Sequence, residues 1–196
     1  MKSIFKVTAI GALLSVGVSS AYAAGNNTRV VIQGDVVPVS CDIGSTSGPA
    51  PVDLGNAMPS DFTAGTGIYA GFNTSIKNQK DFYIGLGGCS GTVASGKYLE
   101  LQITDAPSLP GHPTLLGGGV GSTTMSFGSL LTSKKTLGGA DALLQQGDTI
   151  QAFKYTSTDG AEADGATVKF TATMATATTA QVGHMVAPVT FSLAYN

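Results

Sequence analysis

Apolar and polar residues alternate with a period of two in several short stretches of this chain. Val30, Ile32, Gly34 and Val36 share one face of an N-terminal segment. Phe82, Ile84 and Leu86 lead to Cys89. Leu99, Leu101 and Ile103 alternate with Tyr98, Glu100 and Gln102, and Val168, Phe170, Ala172 and Met174 with Lys169, Thr171 and Thr173. Val189, Phe191, Leu193 and Tyr195 alternate with Thr190, Ser192 and Ala194, and a weaker strand runs near 149–156. Side chains of a strand point to opposite faces in turn, so these stretches predict half-buried strands. Clusters of Gly, Pro, Asn, Asp and Ser separate them at 44–51, 56–59, 87–88, 107–113, 117–121, 159–160 and 164–165. Short strands at this spacing predict an all-β sandwich. Residues 140–146 have room for a short helix between Gly139 and Gly147. There is no internal repeat and no interdomain linker.

The first residues carry a different pattern. Lys2 and Lys6 precede an apolar run over 7–18, and Ala21-Tyr22-Ala23 follows. This reads as an export signal, residues 1–23, with cleavage after Ala23. The run is too short for a membrane anchor. The expected mature chain has 173 of the 196 residues, enough for one domain with a real core. Without Lys2 and Lys6, 8 basic and 12 acidic residues remain, a net charge of −4. No basic patch is present, which argues against a nucleic-acid partner. Charged residues are 11% of the chain and hydrophobic residues 42%, too apolar a composition for a disordered protein. Cys41 and Cys89 are the only cysteines, and an even pair in an exported chain reads as a disulfide.

Candidate chemistry is sparse. His112 and His184 lie in loop-like sequence, and no Ser is framed as a nucleophile elbow. The two cysteines have no histidine cluster to complete a zinc site, and Asp159 and Asp164 sit in turn signals. Gly117-Gly118-Gly119 lacks the Lys-Ser/Thr of a phosphate loop. No catalytic, cofactor-binding or metal-binding residue is predicted, and the chain reads as no enzyme.

Four segments, in order, carry a resemblance. The stretch 30–41, Val-Val-Ile-Gln-Gly-Asp-Val-Val-Pro-Val-Ser-Cys, alternates apolar residues, then has Gly, two further apolar residues and Cys. Val52-Asp53-Leu54-Gly55 follows. Phe82-Tyr83-Ile84-Gly85-Leu86-Gly87-Gly88-Cys89 leads to the second cysteine, and the final alternating strand has Tyr195 in the penultimate position. Together these resemble the subunits of chaperone–usher fimbriae, the type 1-like pilins, over essentially the whole expected mature chain.

That resemblance implies an incomplete immunoglobulin-like β-sandwich completed by a donated strand. Residues 24–36 would be the donor extension running into the first strand, and 37–196 the pilin domain. Val30, Ile32, Gly34 and Val36 would enter a neighbour's groove, with Gly34 where that groove is shallow. Phe191, Leu193 and Tyr195 would form groove wall and chaperone contact, with the Asn196 carboxylate held by the chaperone. Implied partners are copies of itself or related subunits, a periplasmic chaperone and an outer-membrane usher, with a host-surface receptor reached through the fibre. The expected location is the cell surface, after export through the periplasm. The segment before Val30 is short for the family, and 107–131 departs from it, reading as a variable surface loop with a strand or two. The alternatives are a secreted carbohydrate- or receptor-binding β-sandwich module and a minor adaptor subunit.

Overall fold

The computed structural model describes residues 37–45 and 51–195. They belong to one compact unit, Val36–Asn196. The expected signal 1–23 and the alternating residues Val30, Ile32, Gly34 and Val36 lie outside the described residues, as does Asn196.

Eleven strands are described. They are β1 (Val39–Ser45), β2 (Thr63–Ala64), β3 (Asn73–Gly91), β4 (Tyr98–Asp105), β5 (Ser108–Leu109), β6 (His112–Leu116), β7 (Gly128–Lys134), β8 (Asp141–Leu143), β9 (Thr149–Lys154), β10 (Thr167–Thr176) and β11 (Thr190–Tyr195). The larger sheet runs β1-β3-β10-β7-β6-β5, with β2 added to β3 and β8 to β7. The smaller runs β11-β4-β9. Every pair among them is antiparallel.

The alternating positions fill the core as their period requires. Leu99, Leu101 and Ile103 of β4 are almost wholly buried, as are Ile150 of β9 and Phe170 of β10. Phe170 ties the two sheets together. Its ring stacks on Phe82 of β3 at 5.3 Å and meets Phe191 of β11 at 4.9 Å. Cys41 and Cys89 are joined, linking β1 to β3.

Two expectations are corrected. Residues 140–146 form no helix; Asp141–Leu143 pairs with β7 from Thr132 to Lys134. So few residues between two glycines cannot offset the cost of nucleating a helix, whereas the edge of β7 offers ready hydrogen bonds. The region 107–131 has the expected strands but is not a variable surface loop. It supplies β5, β6 and the start of β7, with Leu109, Leu115, Leu116, Phe127, Leu130 and Leu131 all buried. Leu131 faces the main core, while Leu130 joins a second cluster with Leu109, Leu115 and Ala175 on the opposite face. Tyr69 and Phe72, from the turn around Gly67–Tyr69, cover that second cluster.

Beside the disulfide, the loop 155–164 is fastened by acids. Asp164 Oδ1 accepts from the Cys89 N–H at 2.6 Å. The Glu162 carboxylate accepts from the backbone N–H groups of Thr156 and Ser157 and from both hydroxyls. These donors, the Thr156 hydroxyl foremost, hold its pKa down at about 2. A carboxylate depressed in the folded state adds stability that is fully present above its unfolded pKa and is lost as pH falls through the folded value. Glu162→Gln is therefore expected to lower the melting temperature at about pH 7 and to lose that effect near pH 2. Melting curves of both proteins across this window test it; a gap that stays constant down to pH 2 would refute the role.

Candidate functional site

A groove of about 1090 Å³ opens over the inner face of the larger sheet. Its floor is apolar: Phe82 and Ile84 of β3, Leu131 of β7, and Ala172 and Met174 of β10. Asp53 is the one carboxylate on its lining, and that group is engaged locally, accepting from the Gly55 N–H at 2.8 Å. Two walls of irregular but anchored chain flank this floor, residues 51–57 on one side and 180–189 leading into Phe191 on the other.

The 51–57 wall is held by a bulge in β3. Pairing of β10 with β3 shifts between Thr173, opposite Gln79, and Met174, opposite Ser75. The extra residues turn Asn78 inward, the usual effect of a bulge on side-chain aim. Its amide donates to Leu54 O at 2.7 Å and Asn56 O at 3.0 Å, and its oxygen accepts from Ser75 Oγ at 2.7 Å. Neighbouring Lys77 pairs with Asp61, whose carboxylate also accepts from the Met58 N–H. The Lys77 hydrogen bond is the main reason the Asp61 pKa lies below the ordinary carboxylate value. Of two adjacent bulge residues, Asn78 thus fixes the 51–57 wall and Lys77 the chain that follows it.

The opposite wall is an extended strap whose hydrogen bonds all go one way. His184 N–H donates to Thr123 Oγ1 and Val186 N–H to Ser122 Oγ. The carbonyls of the same two residues accept from the N–H groups of Thr123 and Gly119. In extended chain, successive residues present their backbone groups to opposite sides. Among the described residues the backbones of Met185, Ala187 and Val189 make no hydrogen bond. Among the described residues the strap therefore has one satisfied edge and one open edge.

Strand β11 continues that open edge. Among the described residues it is the outermost strand of its sheet, paired only with β4. Its apolar side chains are less covered than the same pattern elsewhere: Phe191 and Leu193 are half-buried, whereas Leu99, Leu101 and Ile103 on β4 are at most 1% exposed. An edge strand over an apolar groove is a template for another strand. The dimensions suit one, since strands in a sheet lie about 4.8 Å apart and each presents alternate side chains to one face.

Of the predicted site residues, Phe191 lines the groove and Leu193 packs against the main core one turn of the pleat further on. Tyr195 lies in β11, paired with Leu99. Sequence reasoning missed Asn78 and the strap up to Pro188. Asn78 lies in a polar run with no distinguishing pattern, and the strap has none of the alternation of a paired strand. The Val52–Gly55 segment was singled out, and the structure makes it wall. His112 packs edge-on to Phe72, remote in role from His184 on the strap, and no group of three His, Cys, Asp or Glu side chains suited to a metal occurs among the described residues.

No family model matches this chain, and neither does any curated protein sequence. Among solved structures, the crystal structure of the P pilus rod subunit PapA matches with a TM-score of 0.52 at 18% identity. The match covers 86% of this chain and 99% of that one. At this identity the likeness concerns the fold, and with the two antiparallel sheets it makes this chain an all-β, immunoglobulin-like sandwich.

Proposed function

We propose that this chain is a structural subunit of a surface fimbria. It folds with the help of a periplasmic chaperone and polymerises at an outer-membrane usher by donor-strand exchange. Each copy inserts residues 24–36 into the groove of the next, and the resulting fibre supports adhesion. The observation that carries this reading is the open edge formed by Met185, Ala187, Val189 and β11 beside an apolar groove. Such an edge binds an extended segment through backbone hydrogen bonds, and the groove selects its alternate side chains. The apolar spacing of Val30, Ile32 and Val36 fits that requirement, with Gly34 as the gap in the face. The fold likeness to a pilus rod subunit points the same way. Donor and groove are different segments of one chain, so the contact is head-to-tail and builds a filament. The fold is used here for assembly and not for catalysis.

Denaturing electrophoresis with and without boiling tests this, with the mature protein run beside a variant lacking 24–35. Ladders that survive without heat, collapse on boiling and vanish in the deletion are expected. A heat-insensitive folded monomer in both samples would overturn the proposal and favour a secreted carbohydrate- or receptor-binding module.

A further inference from the structure

The strap is zipped to the loop 119–126, and together they form an exposed tip. Val120 and Val182 are almost fully exposed and Met125 is half exposed. The pair is closely fitted beneath these side chains. A Cβ on Gly183 would lie 2.6 Å from Thr124 Cγ2, and one on Gly118 would lie 2.9 Å from Met125 Cε. The Gln181 N–H donates to Ser126 Oγ at 3.0 Å, closing the far end. The tip is also uncharged: residues 113–133 and 170–196 contain no Asp, Glu, Lys or Arg. Val120 stands at the Gly119–Val186 end of the zip and Val182 at the Ser126–Gln181 end, and exposed apolar side chains along a surface without charges mark a face that another molecule covers.

We propose that this tip docks the body of a second copy of the chain, the copy whose N-terminal segment fills the groove. The inference rests on the strand-donation reading. It follows from chain direction and chain length. Every strand pair in the fold is antiparallel, and antiparallel pairing is the more stable per residue. A donor antiparallel to the strap and β11 has its C-terminal end toward residue 180, where the tip stands. From Val36 to the start of β1 at Val39, the three Cα steps span at most about 11 Å. The donor's folded body is thus held within about 11 Å of that end of the groove. Val182 belongs to both surfaces, lining the groove and standing on the tip. Docking there would fix the angle between successive subunits, which the donated strand alone leaves free to swivel.

The test uses polymers assembled from the full mature chain carrying a photo-activated cross-linking residue at Val120, at Val182, or at Leu137 as a control. Leu137 is exposed and apolar but lies in the β7–β8 connection. Irradiation should give dimers from positions 120 and 182 that survive boiling, cross-linked within 37–196 of the second copy, and none from 137. Heat-labile ladders without such dimers would overturn the tip contact and leave strand donation standing. So would cross-links confined to 24–36, or equal yield from Leu137. Absence of ladders would sink strand donation and the tip contact together.

Discussion

Gly34→Val is expected to abolish the heat-labile ladders while leaving chaperone-bound subunit at its normal yield. In the proposed assembly, Val30, Ile32 and Val36 fill the groove and Gly34 passes where there is no depth to fill. Burying each of the larger side chains contributes on the order of 1.5–3 kcal/mol. The outcome for valine at 34 depends on the space beneath it. Over a deep pocket it would add burial and strengthen the link. Over a filled floor it forces overpacking, which costs about 1–3 kcal/mol. Worse, it lifts the donor from the edge formed by Met185, Ala187 and Val189, and each lost ladder bond there removes a further ~1 kcal/mol. The subunit's own fold is untouched by this change, because the residue acts in another copy. A chaperone that fills the groove with its own strand never meets it. Unboiled gels of purified fibres, beside a count of chaperone-bound subunit, separate the two effects. Normal ladders from this variant would remove Gly34 from the groove.

How much of this was legible in the sequence follows from how many faces of each strand are buried. β4 is covered on one face, and its alternation of Leu99, Leu101 and Ile103 gave its register directly. β7 is covered on both, by the main core at Leu131 and the second cluster at Leu130, so its alternation vanished and the region read as loop. The half of β3 before Phe82 was hidden for another reason: the bulge at 76–78 breaks the period where Asn78 turns inward. The ends of the candidate site were visible, Val52–Gly55 and Phe191 among them. The strap was not, because among the described residues it is held by the Ser122 and Thr123 hydroxyls and not by a regular ladder. Its sequence, Gln-Val-Gly-His-Met-Val-Ala-Pro-Val, shows no pattern that marks such a segment.

Removing the disulfide should have the largest effect on the subunit itself. Cys41 and Cys89 lie 48 residues apart in sequence, and closing a loop of that length stabilises a domain by about 4 kcal/mol in the chain-entropy model. A typical domain has a margin of only about 5–15 kcal/mol. A loss of that size is a large share of such a margin, and Phe191 and Leu193 of β11 are only half-buried. The bond also has a particular place. Among the described residues β1 is terminal in its sheet and pairs with β3 alone, so without the link its hold is one ladder plus the core packing of Val39 and Ile43. In the proposed fibre, Val37 and Pro38 join the donated segment to β1, so tension between subunits enters each body through that strand. The disulfide passes the load covalently to β3, the longest strand and the neighbour of β10. The double variant Cys41→Ala/Cys89→Ala, which leaves no free thiol, is therefore expected to lower the urea midpoint and the yield of chaperone-bound subunit. Any fibres it forms should break at lower force than the parent's. An unchanged midpoint would mean that β1 is held by its ladder and by Val39, with the bond adding nothing.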